Sequence, residues 1–344
     1  MQDNTSHNAP LPNNTFPPVS IVTIVYNDLA HIKATMDSII SQDYPFIEYI
    51  IIDGASSDGT KEFILSYIQE LAHITLRLEI TPQSLESPLQ SSLDCNRQDF
   101  SLQDSPTQDS PLPPNLMNKS GLYIQATHKT LPNFSFKFLS QSDSGIYDAM
   151  NKGIDLSTAP WCNFMNCGDR FYASNSIKAL FEGFLLRHGG GDRIGVIYGD
   201  THIIYDSTHS KILYAKATSH KYHHHFIHQS AFISSLLLKT LHYDTSFKIA
   251  GDTDFFTKAY NTTNLGFAYI PLVVSSFTIA GVSSRLSWQM FKEDCIIGYK
   301  YNYLFPLYLS LKYGFYIIPR VCIRNLIPKP LRNKARISLS AKRS

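Results

Sequence analysis

VSIVTIV (residues 19–25) and FIEYIIID (residues 46–53) decide the fold. Each is a nearly unbroken apolar run rich in β-branched side chains, the pattern of a strand buried on both faces of a parallel sheet. Each also stops abruptly, the first at Tyr26-Asn27-Asp28 and the second at Asp53-Gly-Ala-Ser-Ser-Asp-Gly59. Between them Leu29, Ile32, Met36, Ile39 and Ile40 recur at helical spacing, and after Asp58 so do Phe63, Ile64, Tyr67, Ile68 and Leu71. Strand–helix–strand–helix of this kind makes right-handed crossovers and a parallel α/β sheet. In such sheets ligands bind beyond the carboxyl ends of the strands, which here carry Asn27 and Asp53.

A third strand of this set is WCNFMNCGD (residues 161–169), apolar at Trp161, Phe164 and Met165 before Asn-Cys-Gly-Asp breaks it. It delivers the Asp169 carboxylate to the same edge, where a lone hard oxygen donor suits a divalent cation; a turn that caps the next helix is the alternative. Asp53 can accept hydrogen bonds from a nucleoside or shape its own turn, and Asp58 is read as a helix cap. Strands are further expected at Ile74–Ile80, Phe136–Leu139, Phe267–Ile270 and Leu272–Ile279, with a hairpin from 196–205 and 212–215. SDSGIYDAMNKG (residues 142–153) starts a helix over 145–157 with Ile146, Met150 and Ile154 as its buried stripe. Asp148 and Lys152 stand four apart, which permits a surface ion pair; Asn151 and Lys152 facing a phosphate is the other possibility.

KIAGDTDF (residues 248–255) is a second acidic focus. Two residues apart at a helix start, Asp252 and Asp254 point about 200° from each other. One reaches a cleft, where it can take a proton from a hydroxyl, and the other serves as cap or ion-pair partner. His220, His223, His224, His225 and His228 precede Gln229. Their spacing allows metal ligation, most readily by His228, but a wet polar loop fits as well.

Composition narrows the class. Hydrophobic residues are 43% of the 344 and charged residues 17%, enough for a large core. Ten of the 30 Lys and Arg lie from Lys300 onward, where no Asp or Glu occurs, leaving 20 basic against 28 acidic residues, a net of −8, in the rest. An acidic body with a basic tail does not describe a nucleic-acid binder. Five Cys with no C-x-x-C pair argue against a zinc cluster or disulfide scaffold and fit a reducing cytoplasm. No basic-then-apolar leader is present at the N-terminus.

Three regions are expected: a disordered lead-in over 1–18, one α/β domain over 19–285, and a helical extension over 286–344. Residues 81–132, rich in Ser, Gln, Pro, Asp and Asn, read as a disordered insertion, with Tyr123–His128 as a possible stub of an extra strand. The extension is dense in Tyr, Phe, Leu and Ile, followed by Arg320, Arg324, Lys329, Arg332, Lys334 and Arg336. Aromatic rings beside cations are what an interfacial segment needs, so association with the inner face of the plasma membrane is expected.

Taken in order, VSIVTIVYN (19–27), EYIIIDGASSDGT (48–60), SDSGIYDAMNKGI (142–154), FMNCGD (164–169), YGD (198–200), HQ (228–229) and KIAGDTDF (248–255) resemble glycosyltransferase family 2. That resemblance implies a GT-A fold, a Rossmann-like mixed sheet flanked by helices, and inverting transfer from a nucleotide-diphospho-sugar, a UDP-sugar being commonest. It implies that Thr23, Val25 and Asn27 line the nucleotide pocket, that Asp53 holds base or ribose, and that Asp143 and Lys152 lie beside nucleoside and phosphates. Asp169 stands at the position of the family's metal-binding aspartate for Mg2+ or Mn2+, with His228 as a possible helper. Asp252 matches the acceptor-activating base, with Asp254 the second choice. The acceptor implied is a glycan or lipid-linked hydroxyl, in bacterial surface polysaccharide or lipopolysaccharide synthesis. Two departures stand out: Cys167-Gly168 precedes Asp169 where the family often has a second acid, and the Q-x-x-R-W signature of processive enzymes is absent, which favours addition of a single sugar. The alternative is a catalytically inactive relative that binds a nucleotide or glycan.

Overall fold

The computed structural model describes residues 16–81, 112–189, 193–217, 221–278 and 287–326. Its first elements are β1 (Val19–Val25), α1 (Leu29–Ile40), β2 (Ile47–Asp53) and α2 (Thr60–Leu71). There follow β3 (Ala72–Ile80), β4 (Gly121–His128), β5 (Phe134–Gln141), α3 (Ile146–Leu156), β6 (Trp161–Phe164), β7 (Arg170–Phe171) and α4 (Ser176–His188). The second half contains β8 (Ile194–Ile204), β9 (Ser210–Leu213), β10 (Ala231–Ser234), α5 (Ser235–Leu241), α6 (Gly251–Thr262) and β11 (Gly266–Thr278). Three helices close the described chain: α7 (Trp288–Tyr299), α8 (Phe305–Lys312) and α9 (Ile318–Leu326), the last two joined by a π-helical turn at Tyr313–Ile317.

The described strands join one mixed sheet in the order β3-β4-β5-β2-β1-β6-β10-β8-β11-β7, with β9 paired to β8. Its centre, β5-β2-β1-β6, is wholly parallel. There Val25 pairs with Asp53 and Asp53 with Ser140, so three strands end in register at one edge. Side-chain alternation along the strands sends Val22, Ile24, Ile50 and Ile52 to one face and Val19, Ile21, Val25 and Ile51 to the other. Helices α1, α2 and α4 cover the second face through Ile32, Met36, Ile64, Ile68 and Phe181; α3, α5 and α6 cover the first through Met150, Ile154, Leu238 and Phe256. The helix α3 lies so close to β1 that a Cβ on Gly153 would stand 2.5 Å from Val22.

The structure changes several expectations. Within the segment read as a disordered insertion, Gly121–His128 forms a full strand between β3 and β5, antiparallel to both. The alternation in Leu122, Ile124 and Ala126 supplies its buried face, and the polar residues upstream masked that signal. Residues 82–111 lie outside the described residues, as do 1–15 of the lead-in and His220. The strand of WCNFMNCGD ends at Phe164, although Met165 and Cys167 still donate backbone hydrogen bonds to Val22 and Ile24 of β1. The two expected strands at 267–279 are one, β11, kinked by irregular pairing with β8 between Tyr269 and Ser275.

Candidate active site

The loops after β1 and β2 are tied to each other. Asn27 takes a left-handed conformation (φ 49°), its N–H donates to Ser56 Oγ at 2.8 Å, and its Oδ1 accepts from Ser57 N at 2.8 Å. Asp58 accepts from Leu29 N, and Thr60 Oγ1 from Asp28 N. Asp53 is fully buried and accepts from Ser56 N at 3.2 Å and from Ser140 Oγ at 2.7 Å. Its carboxylate thus fixes the floor of the edge. Above that floor the Tyr26 ring, 65% exposed, and the half-buried Asp143 carboxylate close over the buried backbone of Gly54. A Cβ on Gly54 would meet Asp143 Oδ2 at 2.7 Å and the Tyr26 ring at 3.2 Å, so these groups share one small space. Burial raises the Asp143 carboxyl above its ordinary value.

Thr23 does not line this space. Its hydroxyl is buried between the Met165 carbonyl, 2.8 Å, and Tyr49 OH, 3.1 Å, and Val25 packs in the core. Lys152 is buried as well, its ammonium donating to Ser142 O at 2.8 Å rather than pairing with Asp148. Burial lowers its affinity for a proton. Asn151 holds both backbone groups of Tyr243 at 2.9 Å. Thr23, Val25 and Asn151 are therefore scaffold, and Lys152 braces the loop that presents Asp143. Tyr26 is the residue that the sequence pattern passed over; an aromatic ring at the end of a buried strand was the signal.

Asp169 sits in a turn made by Gly168 (φ 94°), where Thr35 of α1 accepts from Gly168 N at 3.0 Å and donates to Asp169 O at 2.9 Å. Gln229 Nε2 donates to Asp169 Oδ2 at 2.7 Å. Burial pushes the Asp169 carboxyl up to about 7, against the opposing pull of Gln229. Nearby, Cys167 Sγ lies 3.4 Å from Asp28 Oδ2, and burial with that carboxylate raises the thiol well above its usual range. Among the described residues no three His, Cys, Asp or Glu side chains gather closely enough to hold a metal ion by themselves. The donor chemistry still fits a hard cation shared with a ligand. Asp169 offers a carboxylate, the buried Oδ1 of Asn166 has no hydrogen-bond partner, and Mg2+ is commonly held by one or two carboxylates plus substrate phosphates.

His228 is not part of that set. It is adjacent to Gln229 but points the other way, buried against Phe164 and Phe256 with Nε2 2.8 Å from Tyr243 OH. Burial pushes it down to about 3, so it stays neutral and structural. The rest of the histidine patch is divided: His223 and His225 are exposed, as a wet loop would have them, while His224 is buried against Phe226 and Phe256.

Aromatic contacts lead from His228 to the segment that carries the remaining acid. Tyr243 stacks on Tyr147, whose hydroxyl donates to Ile249 O at 2.8 Å, just before α6. Asp252 lies on the first turn of α6, 29% exposed, with Oδ1 accepting from Thr253 N at 2.8 Å and Oδ2 3.9 Å from His224 Nε2. Burial pushes its carboxyl up to about 6; backbone and Tyr147 hydrogen bonds oppose the rise, and the Glu293 charge adds to it. Asp254 faces away, 6% exposed, in a 2.7 Å ion pair with Lys300, which removes it as a second base. One helix start thus offers a single acid with an affinity for protons near neutrality, the property a general base requires.

The family model described as glycosyl transferase family 2 matches residues 20–81. A PGL/p-HBAD biosynthesis glycosyltransferase of Mycobacterium bovis is 29% identical over 156 residues, which cover 42% of this chain and 56% of that protein. The chain thus spans little more than half the length of the curated relatives it matches first. S. aureus TarS 1-349, solved in complex with UDP-GlcNAc, aligns with a TM-score of 0.53 at 12% identity, over 92% of this chain and 77% of that one. The mannosyltransferase PcManGT from Pyrobaculum calidifontis, solved with GDP-Man and Mn2+, aligns with a TM-score of 0.50 at 12% identity, over 97% and 84%. At such identities these structures speak for the fold: a central mixed sheet flanked by helices, as in GT-A glycosyltransferases.

Proposed function

We propose, from the premise that this chain is a relative of glycosyltransferase family 2 with a GT-A fold, that it transfers one sugar from a nucleotide-diphospho-sugar to an acceptor hydroxyl with inversion. The observation that carries the reading is a division of labour along one rim. Asp143 and Tyr26 meet over Gly54 at the ends of β5, β2 and β1, Asp169 lies in the turn that follows the neighbouring β6, and a run of contacts through Gln229-His228, Tyr243 and Tyr147 leads from Asp169 towards the segment that carries Asp252. In this reading the Tyr26 ring and Asp143 receive the nucleoside of a UDP-sugar. Asp169 and Asn166 would hold Mg2+ or Mn2+, which when bound neutralises charge on the diphosphate. The acceptor oxygen attacks the anomeric carbon while the bond from that carbon to the diphosphate breaks, the leaving group taking the electron pair. Asp252 accepts the hydroxyl proton. The acceptor is a glycan or lipid-linked hydroxyl, and the setting is assembly of a bacterial surface polysaccharide or lipopolysaccharide.

The helices α7–α9 extend the reading to a membrane surface. Trp288, Tyr303, Phe315 and Leu326 are each at least 75% exposed, with Lys312 and Arg320 among them, and the sequence has no acidic residue after Asp294. Apolar rings interleaved with cations match an anionic leaflet. No described helix is long and apolar enough to cross a bilayer. The partner assigned is the anionic inner face of the plasma membrane.

The test is a thermal-shift screen of nucleotide sugars with and without Mn2+, followed by calorimetry on Asp169→Ala. A bound donor raises the melting temperature. Asp169→Ala is expected to abolish the Mn2+-dependent part of binding; identical binding in wild type and variant, with and without Mn2+, would refute the assignment of Asp169. Release of free nucleotide diphosphate from the donor separates an enzyme from a binding protein of the same fold.

A further inference from the structure

Glu293 lies on α7, beyond the motifs that resemble family 2, and is only 2% exposed. A buried carboxylate is costly unless its oxygens are hydrogen-bonded. Those of Glu293 accept from Lys248 N at 2.9 Å, Ile249 N at 3.0 Å, Ala250 N at 2.8 Å and Gln289 Nε2 at 2.6 Å. Burial works against its charge, but the bonds from Gln289 and the three backbone amides outweigh it and hold the carboxyl below its ordinary range. Three successive N–H groups turned onto one anion form a nest, of the kind that elsewhere captures phosphates. Here the anion is a side chain of the protein itself.

What the nest holds gives it meaning. Residues 248–250 run directly into Gly251 and Asp252. On the opposite side Tyr147 of α3 takes the carbonyl of Ile249, and a Cβ on Gly251 would stand 2.6 Å from the Tyr147 ring. The segment that presents Asp252 is therefore gripped by α7 through its amides and by α3 through a carbonyl. We propose that Glu293 is a positioning residue: by holding the amides of Lys248, Ile249 and Ala250 it fixes the direction of the Asp252 carboxylate. This makes α7 part of the catalytic unit and not only the start of the membrane-facing extension. The proposal rests on the reading of Asp252 as base. The groups around that carboxylate are Tyr147 from α3, His224 from the segment before β10, Thr253 from its own helix, and Glu293 and Asp294 from α7.

The test needs no known acceptor. Carbon-13 carboxyl NMR, with the Asp252 resonance assigned by its loss in Asp252→Asn, follows the titration of Asp252 in wild type, Glu293→Gln and Gln289→Ala. Hydrogen exchange reports protection over residues 245–256. In Glu293→Gln one negative neighbour and at least one amide acceptor are lost. The Asp252 titration is expected to move to lower pH and the amides of 248–250 to exchange about tenfold faster or more. Gln289→Ala keeps the carboxylate and its three amides and is expected to change exchange less and leave the Asp252 midpoint near that of wild type. Unchanged titration and unchanged local exchange in a folded Glu293→Gln protein would overturn the proposal. So would an acceleration spread equally over β1 and β2, which marks a general loss of stability. Transfer activity surviving in Asp252→Asn would instead overturn the base assignment and leave the clamp standing.

Discussion

Asp252→Asn gives the sharpest test of the candidate site, because it predicts a pH-dependent gain in stability beside the loss of transfer. The Asp252 carboxyl is raised from 3.8 to about 6, first by burial and also by the Glu293 charge. A group with a raised folded value binds protons more tightly in the folded state than in the unfolded one. Between about pH 4 and pH 6 the folded protein therefore carries the extra proton, and stability falls as pH rises. Above the folded value the penalty is fully present. A rise of this size corresponds to about 3 kcal/mol as an upper bound. The side chain is 29% exposed, and water screens part of the penalty, leaving about 1–2 kcal/mol. Asparagine keeps an oxygen for Thr253 N and carries no charge.

Urea denaturation of wild type and Asp252→Asn at pH 4.5 and 7.5 measures this. At pH 4.5 only about a third of the difference is expected, and at pH 7.5 the variant is expected to be more stable by about 1–2 kcal/mol. In the same preparations transfer should be abolished while nucleotide diphosphate binding stays close to wild type. The acid limb of the wild-type transfer rate should have its midpoint near pH 6. A stability difference that does not change with pH would refute the burial argument. Loss of nucleotide binding with activity would assign Asp252 a structural role.

Two other outcomes are expected. Lys300→Met should leave the buried Asp254 carboxylate unpaired and destabilise the fold by about 1–2 kcal/mol, discounted because the ammonium is 41% exposed. Donor turnover per folded molecule should persist, whereas a selective loss of turnover at unchanged stability would return Asp254 to the reacting groups. The double variant Trp288→Ser/Phe315→Ser should lose at least tenfold in sedimentation with vesicles of 30% phosphatidylglycerol in phosphatidylcholine, yet keep its thermal response to nucleotide. Equal binding of wild type to purely zwitterionic vesicles, or a concentration-dependent dimer that the double variant abolishes, would reject the anionic leaflet as the partner.

The sheet was legible because parallel strands announce themselves without context. VSIVTIV and FIEYIIID are apolar on both faces, and only a strand covered twice tolerates that. β4 was harder, since its alternation is confined to Leu122, Ile124 and Ala126 and follows a long polar segment that outweighs it in any window. The acids at strand ends could be placed on an edge from their position alone. Their roles could not, because a carboxylate at the end of a strand can close a turn while staying half-exposed, as Asp143 does with Gly145, or close one in full burial, as Asp53 does with Ser56 and Ser140. For Thr23 the alternation of the strand was the missing clue: its hydroxyl is on the core side, against Tyr49. His228 and Gln229 make the same point in two residues, one side chain in an aromatic core and the other on Asp169.

The division between Asp252 and Asp254 shows how far local geometry alone can go. Spacing on a helix requires that two acids two residues apart face different ways. It does not say which one meets the cleft. That choice is made from outside the motif. Lys300, on the turn after α7, captures Asp254 at 2.7 Å, and Glu293, in the middle of the same helix, captures the amides that lead into Asp252. Both contacts come from a segment with no counterpart in the motifs shared with family 2, and both use charge to pin α6 against α7. On the proposed reading of Asp252 as base, a substitution in α7 alters that carboxylate without touching it. The aromatic surface carried by the next two helices is joined to the same unit through Lys312, whose charge lies near Asp294, itself beside Asp252.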